Sequence, residues 1–359
     1  MTHLFCVLAT AAILLWLPSC SVAPAGAAED MAVANEKPAP ITTMPWSEVS
    51  ISVTDLDAAA RFFREIGGYE TVHRGPLPTG SGRVWGLPEP LRGESLLLRA
   101  PGAEHGFVRL IRFDVAGPRR PTRPGARAWD TGCYWSVMVR AKDLQSIIDD
   151  AIAMGWWTET SMAYLEFGPS KLNVVVLKGP GGMQVQAYER LTTPLPAGFP
   201  DFERISQPFN LMQMTRDREA VRELLVDVMG FDTFWFGPPY TDPEPTVMPL
   251  GIPQNLTTRV PYKAGIFYPV PGEFGRMEAI EIDGLDGEDH AARCVAPNLG
   301  ILRVSYPVED LASARKRFEG TSYRIVSEIA ETERPPSGRV RAFTIAAPDG
   351  GQIEFFERN

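Results

Sequence analysis

Two stretches decide the fold: Pro180-Gly-Gly-Met-Gln-Val-Gln-Ala-Tyr-Glu-Arg190 and, 168 residues later, Pro348-Asp-Gly-Gly-Gln-Ile-Glu-Phe-Phe-Glu-Arg358. They agree at five of eleven positions without a gap, which marks an internal duplication. Each closes a longer unit of the same order. In the first unit Glu48-Val-Ser-Ile-Ser-Val53 alternates polar and apolar residues, as a half-buried strand does. Asp55 then caps a helix whose apolar residues Leu56, Ala59, Phe63 and Ile66 recur at helical spacing, and Gly67-Gly68 stops it. The order returns at Trp135–Val139 with helix Asp143–Met154, at Asn210–Met214 with helix Asp217–Met229, and at Ile301–Ser305 with helix Asp310–Phe318. Units one and three also share a Gly-aromatic-acid-Thr start to their second strands, Gly68-Tyr-Glu-Thr71 and Gly230-Phe-Asp-Thr233. The pattern is that of a two-unit block copied once.

A strand running into Val-x-Asp-Leu (Val53–Leu56), a helix ending Gly-Gly-Tyr (Gly67–Tyr69), and a last strand beginning Pro-Asp-Gly-x-x-Ile-Glu-Phe (Pro348–Phe355) resemble the vicinal oxygen chelate superfamily. That superfamily includes glyoxalase I, extradiol dioxygenases, methylmalonyl-CoA epimerase and the bleomycin and fosfomycin resistance proteins. The resemblance covers about residues 45–358. It implies an α+β fold of four βαβββ modules forming two glyoxalase-like domains in tandem. Modules 45–116 and 130–191 would make the first domain (45–191), and modules 201–285 and 297–359 the second (201–359), around the Pro-rich linker Thr192–Pro200.

In the superfamily, metal ligands stand near the start of a module's first strand and on its last strand, facing a cupped cavity. Strand alternation carries those places over residue by residue. With Val49, Ile51 and Val53 toward the helix, Glu48, Ser50 and Ser52 face the cavity. Glu48 and Arg109 hold the places in module one, and Tyr134 or Ser136 with Gln186 those in module two. Phe209 or Asn210 with Glu278 hold them in module three, and Arg303 with Glu354 in module four. The resemblance makes Glu48, Gln186 and Glu354 candidate ligands of one divalent ion. Glu354, Glu278, Arg109 and Arg303 become candidate catalytic groups. Trp85, Phe107, Tyr134, Trp235 and Tyr240 become candidate substrate-binding aromatics. A guanidinium repels a cation, so an equally open reading is a metal-free site closed by a Glu48–Arg109 ion pair.

Histidine is scarce and absent from all these places. His73 on a second strand reads as structural, and His105 and His290 as solvated loop residues. The set of two histidines and one carboxylate that holds iron in extradiol dioxygenases is therefore incomplete, which disfavours the iron route of extradiol cleavage. There is no Walker loop, GxSxG elbow or HExxH helix. The segment Gly237–Pro271, with nine prolines, reads as a lid or as a brace between the domains.

The 359 residues carry 35 basic and 44 acidic side chains, a net charge of −9, and show no basic cluster, so nucleic acid is excluded as a partner. Leu4–Leu17 is apolar and of signal-peptide length. Two exits stand open: cleavage after Ala27 (leader 1–27, flexible tether 28–44), or a lipobox placing lipid on Cys20. Either exports the chain to the periplasm or beyond it, with membrane contact through the leader or the lipid alone. Cys133 and Cys294 remain, expected as separate buried hydrophobes, with a disulfide permitted by an oxidising compartment. The functions implied are a lyase or isomerase for a small apolar or aromatic oxygenated substrate, a metal-independent small-molecule-binding protein, or an accessory lipoprotein with degenerate sites.

Overall fold

Each module's long helix starts on an aspartate. Asp55, Asp143, Asp217 and Asp310 each accept a hydrogen bond at the helix N-terminus from a backbone N–H two or three residues on. In module one, β1 (Glu48–Ser52) leads through α1 (Leu56–Glu65), β2 (Glu70–Pro76), the short α2 (Ser81–Trp85) and β3 (Gly93–Arg99) to β4 (Phe107–Phe113). Module two contains β5 (Tyr134–Ala141), α3 (Leu144–Ala153), β6 (Trp157–Thr158), β7 (Ala163–Phe167), β8 (Ser170–Lys178) and β9 (Gln184–Arg190). Module three contains β10 (Asn210–Thr215), α4 (Arg218–Arg222), whose turns widen over Glu223–Val228, then β11 (Asp232–Phe236), β12 (Tyr262–Tyr268) and β13 (Arg276–Ile282). Module four contains β14 (Gly300–Pro307), α5 (Leu311–Lys316), β15 (Arg324–Glu333), β16 (Arg339–Ala346) and β17 (Gln352–Arg358). The computed structural model describes residues 37–358 except residue 126. The leader, Cys6, Cys20 and the start of the tether lie outside the described residues.

The modules do not pair in the order expected. One eight-stranded sheet runs β15-β16-β17-β14-β1-β4-β3-β2 and joins modules four and one. A nine-stranded sheet runs β11-β12-β13-β10-β5-β9-β8-β6 and joins modules three and two, with β7 added on β8. Residues 45–191 and 201–359 are therefore not separate cups, and residues from 37 onward make one compact unit. The reason is that each module's first strand has an open edge of the same alternating character, so pairing is not specified locally. Consecutive modules meet through their helices instead, where Phe62 of α1 stacks on Trp156 just beyond α3 with ring centres 4.4 Å apart.

The faces of the two sheets that carry the helices share one core. Val49 and Ile51 of β1, Val53 just beyond it, Val137 and Val139 of β5, Leu211 of β10 and Val304 of β14 all enter it. The opposite, concave face of each sheet carries its own smaller cluster. Trp85, Ile111, Leu302 and Phe356 belong to the first cup, and Met138, Met212, Met248 and Leu250 to the second.

Three further expectations are corrected. Residues 37–44 do not hang as a tether: Ile41 donates its N–H to the Met229 carbonyl at 2.8 Å and Thr42 its hydroxyl to that of Pro307 at 2.6 Å, and both are buried. Cys133 and Cys294 are bonded as a disulfide, since the loops before β5 and β14 bring their Cα atoms to 5.3 Å. His290 is buried rather than solvated, because residues on either side of it are tied to the loop before β5, its own N–H to the Thr131 carbonyl. Among the described residues no helix is long and apolar enough to cross a membrane.

Candidate functional site

Strand register builds the first cup. The parallel pairing of β1 with β4 sets Ser50 opposite Arg109, and the antiparallel seam of β1 with β14 sets Glu48 opposite Ser305. The parallel pairing of β14 with β17 sets Ser305 opposite Glu354. Arg109 grips Glu48 with both arms of its fork, Nε to Oε1 at 2.7 Å and Nη2 to Oε2 at 2.9 Å. Arg303 donates Nη1 to Glu354 Oε2 at 2.8 Å, and its Nη2 to Gln352 Oε1 and to the Val84 carbonyl, each at 2.8 Å. Ser305 donates its hydroxyl to Glu354 Oε1 at 3.0 Å.

A fifth charge completes the set. Arg334 lies in the turn between β15 and β16 and reaches down over the cup. It donates Nη2 to Glu48 Oε1 at 2.9 Å and Nη1 to Glu354 Oε1. The five side chains thus form one chain of ion pairs, Arg109–Glu48–Arg334–Glu354–Arg303, with every carboxylate oxygen taken. Burial alone would raise the Glu48 pKa, but Arg109 and Arg334 outweigh it and hold the carboxyl near 2. Glu354 is likewise lowered against its burial, by Arg334 and then Arg303. Burial pushes Arg303 down to about 10 in spite of Glu354. Trp85 of α2 covers that guanidinium, 3.6 Å from the ring centre, and Phe356 lies 4.1 Å from that of Arg334.

Beside the chain is a cavity of about 60 Å³, walled by Ser50, Ser95, Trp85, Ile111, Arg109 and Arg334. A resident divalent cation does not fit these groups. Three guanidiniums face two carboxylates whose oxygens already accept from N–H or O–H donors. A dication here would meet net positive charge in a low dielectric.

The second cup differs. Its analogous places hold Asn210 and Glu278 from module three, and Ser136 and Gln186 from module two. Asn210 donates Nδ2 to Glu278 Oε2 at 2.7 Å. Ser136 donates to Gln186 Oε1 at 3.2 Å, and Gln186 donates Nε2 to the Tyr188 hydroxyl at 2.7 Å. Glu278 has no cation within ion-pair distance among the described residues. Arg276, on the same strand, is turned to the Gly272 carbonyl and Glu273. Burial therefore dominates and raises the Glu278 pKa to about 7. The Pro-rich segment expected as lid or brace acts as a plug: Met248, Leu250 and Ile252 pack among Met138, Phe209 and Met212.

The chain superposes on glyoxalase I from Zea mays with a TM-score of 0.56, over 88% of this chain and 92% of that one at 11% identity. A mutant of the same maize enzyme gives 0.57, with 88% and 94% covered and 11% identity. The fold is glyoxalase-like, with two sheets of paired modules as in these structures. No protein-family model and no curated protein matches the sequence.

Within this glyoxalase-like fold the expected site residues are redistributed. Glu48, Arg109, Arg303, Glu354 and Trp85 come together in the first cup. Gln186, expected to share a metal with Glu48 and Glu354, stands on the other sheet, beside module three. Glu278, expected beside Glu354, is on that sheet too. Tyr134 is core, not wall: its hydroxyl donates to the Gln352 carbonyl at 3.0 Å, and its ring lies against Gly351. Phe107 packs on the main core and not on the cavity. Trp235 is exposed on the edge strand β11, where its ring meets Phe167 of β7 at 5.5 Å. Tyr240 is exposed against Tyr262. Sequence reading missed Arg334, because a side chain in an Arg-Pro-Pro-Ser-Gly turn has no alternation to place it.

Proposed function

We propose that this is an exported, metal-independent small-molecule-binding protein of the glyoxalase-like fold, with its ligand held in the first cup. One observation carries the reading: the chain of ion pairs through Arg334 occupies the surface on which that fold presents metal ligands. It leaves no carboxylate oxygen free for a metal. It also leaves no base poised near neutral pH there, since both glutamates are held in the charged form. Export is supported by the apolar leader and by the Cys133–Cys294 bond, which suits an oxidising compartment. The test is elemental analysis of protein purified without added metal, with calorimetric titration of Mn²⁺ and Zn²⁺. No stoichiometric ion and no saturable heat is the expected result; one ion per chain overturns the reading.

A second reading rests on Glu278. A buried carboxyl with a pKa near 7 and no cation partner is suited to moving a proton, as a lyase or isomerase requires. Its support is weaker, because Met248, Leu250 and Ile252 pack with Met138 and Met212 on the same cup.

A further inference from the structure

The first cup holds one more positive charge than negative. Arg109, Arg303 and Arg334 face Glu48 and Glu354, and all five side chains are about nine-tenths buried or more. An uncompensated cation in such surroundings is costly unless a counter-charge or solvent meets it. Glu333 also borders the cavity, but its carboxylate is exposed and 4.0 Å from Arg339, so solvent screens it. Ser50 and Ser95 are buried, line the cavity, and make no side-chain hydrogen bond to another described residue. Two hydroxyl donors and the flanks of two guanidiniums therefore converge on one small space that reaches the surface beside Glu333. At about 60 Å³ that space has room for a few waters. Its far wall is apolar, from Val84, Trp85 and Ile111.

We infer that this cavity is an anion site, built to take the carboxylate of a small monoanion against Arg109 and Arg334, with Ser50 and Ser95 donating to its oxygens and the apolar wall receiving a short carbon tail. The inference rests on the metal-free reading of the same cup and names its ligand class. Replacement of metal-ligating groups by arginine inverts the sign of the cup, so what it draws in is an anion in place of a cation.

The probes are sodium acetate and sodium formate, with acetamide as the uncharged isostere of acetate, followed by calorimetry and thermal denaturation at constant ionic strength. Acetate and formate are expected to bind saturably and raise the melting temperature, while acetamide does neither. The Ser50→Ala/Ser95→Ala double variant leaves every ion pair in place and should bind acetate about tenfold more weakly, for the loss of hydrogen bonds to a charged group. Arg334→Gln removes the excess charge and should abolish the response; if it fails to fold, the serine variant decides. Equal effects of acetate and acetamide, or acetate binding unchanged in the serine variant, overturn the inference. A divalent ion bound in stoichiometric amount would overturn the underlying reading instead, so the two failures are told apart.

Discussion

Arg334 bridges Glu48 and Glu354, giving one guanidinium nitrogen to each, although the two acids come from the first strand of the first module and the last strand of the fourth. The contact ties the two ends of the folded chain across the seam of the eight-stranded sheet. It also sets the chemistry of the cup. Without it two carboxylates would face each other with one arginine apiece, and their mutual repulsion would be less fully offset.

Arg334→Met should therefore destabilise the protein by about 3–5 kcal/mol, the cost of breaking a buried charge network from one side. Urea denaturation at neutral pH measures it. A loss below 1 kcal/mol would mean that the turn carrying Arg334 is not seated on the cup. The conservative Arg334→Lys should recover only part of the loss, since an ammonium cannot span both acids as the fork does.

Glu48 should contribute to the acid limb of stability. Its folded pKa is near 2 against an ordinary 4.5, so the folded state holds fewer protons than the unfolded state between those values. Its contribution is present above pH 4.5 and is lost as pH falls toward 2, amounting to about 3 kcal/mol. Unfolding free energies of wild type and Glu48→Gln from pH 6 down to about 3 should converge as the wild type loses this term. Parallel curves would remove Glu48 from the network.

The disulfide should be structural. Cys133 and Cys294 are 161 residues apart, so the bond closes a long loop, and chain entropy puts its contribution at about 3–5 kcal/mol. Cys133→Ser, or reduction in mild denaturant, should lower the urea midpoint accordingly. In unreduced protein lacking residues 1–27, and with them Cys6 and Cys20, a free-thiol count of two in place of none would contradict the bond directly.

What was legible in the sequence followed local rules. The Asp caps of Asp55, Asp143, Asp217 and Asp310 announced four helices, and alternation along Glu48–Val53 correctly sent Val49 inward and Glu48 to the cup. Even the Glu48–Arg109 ion pair was within reach of strand register. What was not legible depended on choices between equivalent partners. Any first strand could pair with any other, so the union of β1 with β14 and of β5 with β10 is decided by packing across the whole molecule. Arg334 in a turn, and Met248, Leu250 and Ile252 in a proline-rich segment, have no periodicity to aim them, yet they finish one cup and fill the other.

Glu278 should give a pH dependence opposite in sign to that of Glu48. Burial raises its folded pKa to about 7, so between 4.5 and 7 the folded state holds more protons than the unfolded state. Its contribution is full below pH 4.5 and is lost as pH rises through 7, a decline of about 3 kcal/mol. Glu278→Gln keeps the Asn210 hydrogen bond possible and removes the titration. It should be less sensitive than wild type to a shift from pH 5 to pH 8 in urea denaturation, gaining in relative stability at the alkaline end. Carbon-13 labelling of glutamate would follow the carboxyl itself. A titration midpoint below 5 would mean that a cation or water reaches Glu278 past the Met248–Ile252 plug, and the proton-transfer reading of the second cup would fall with it.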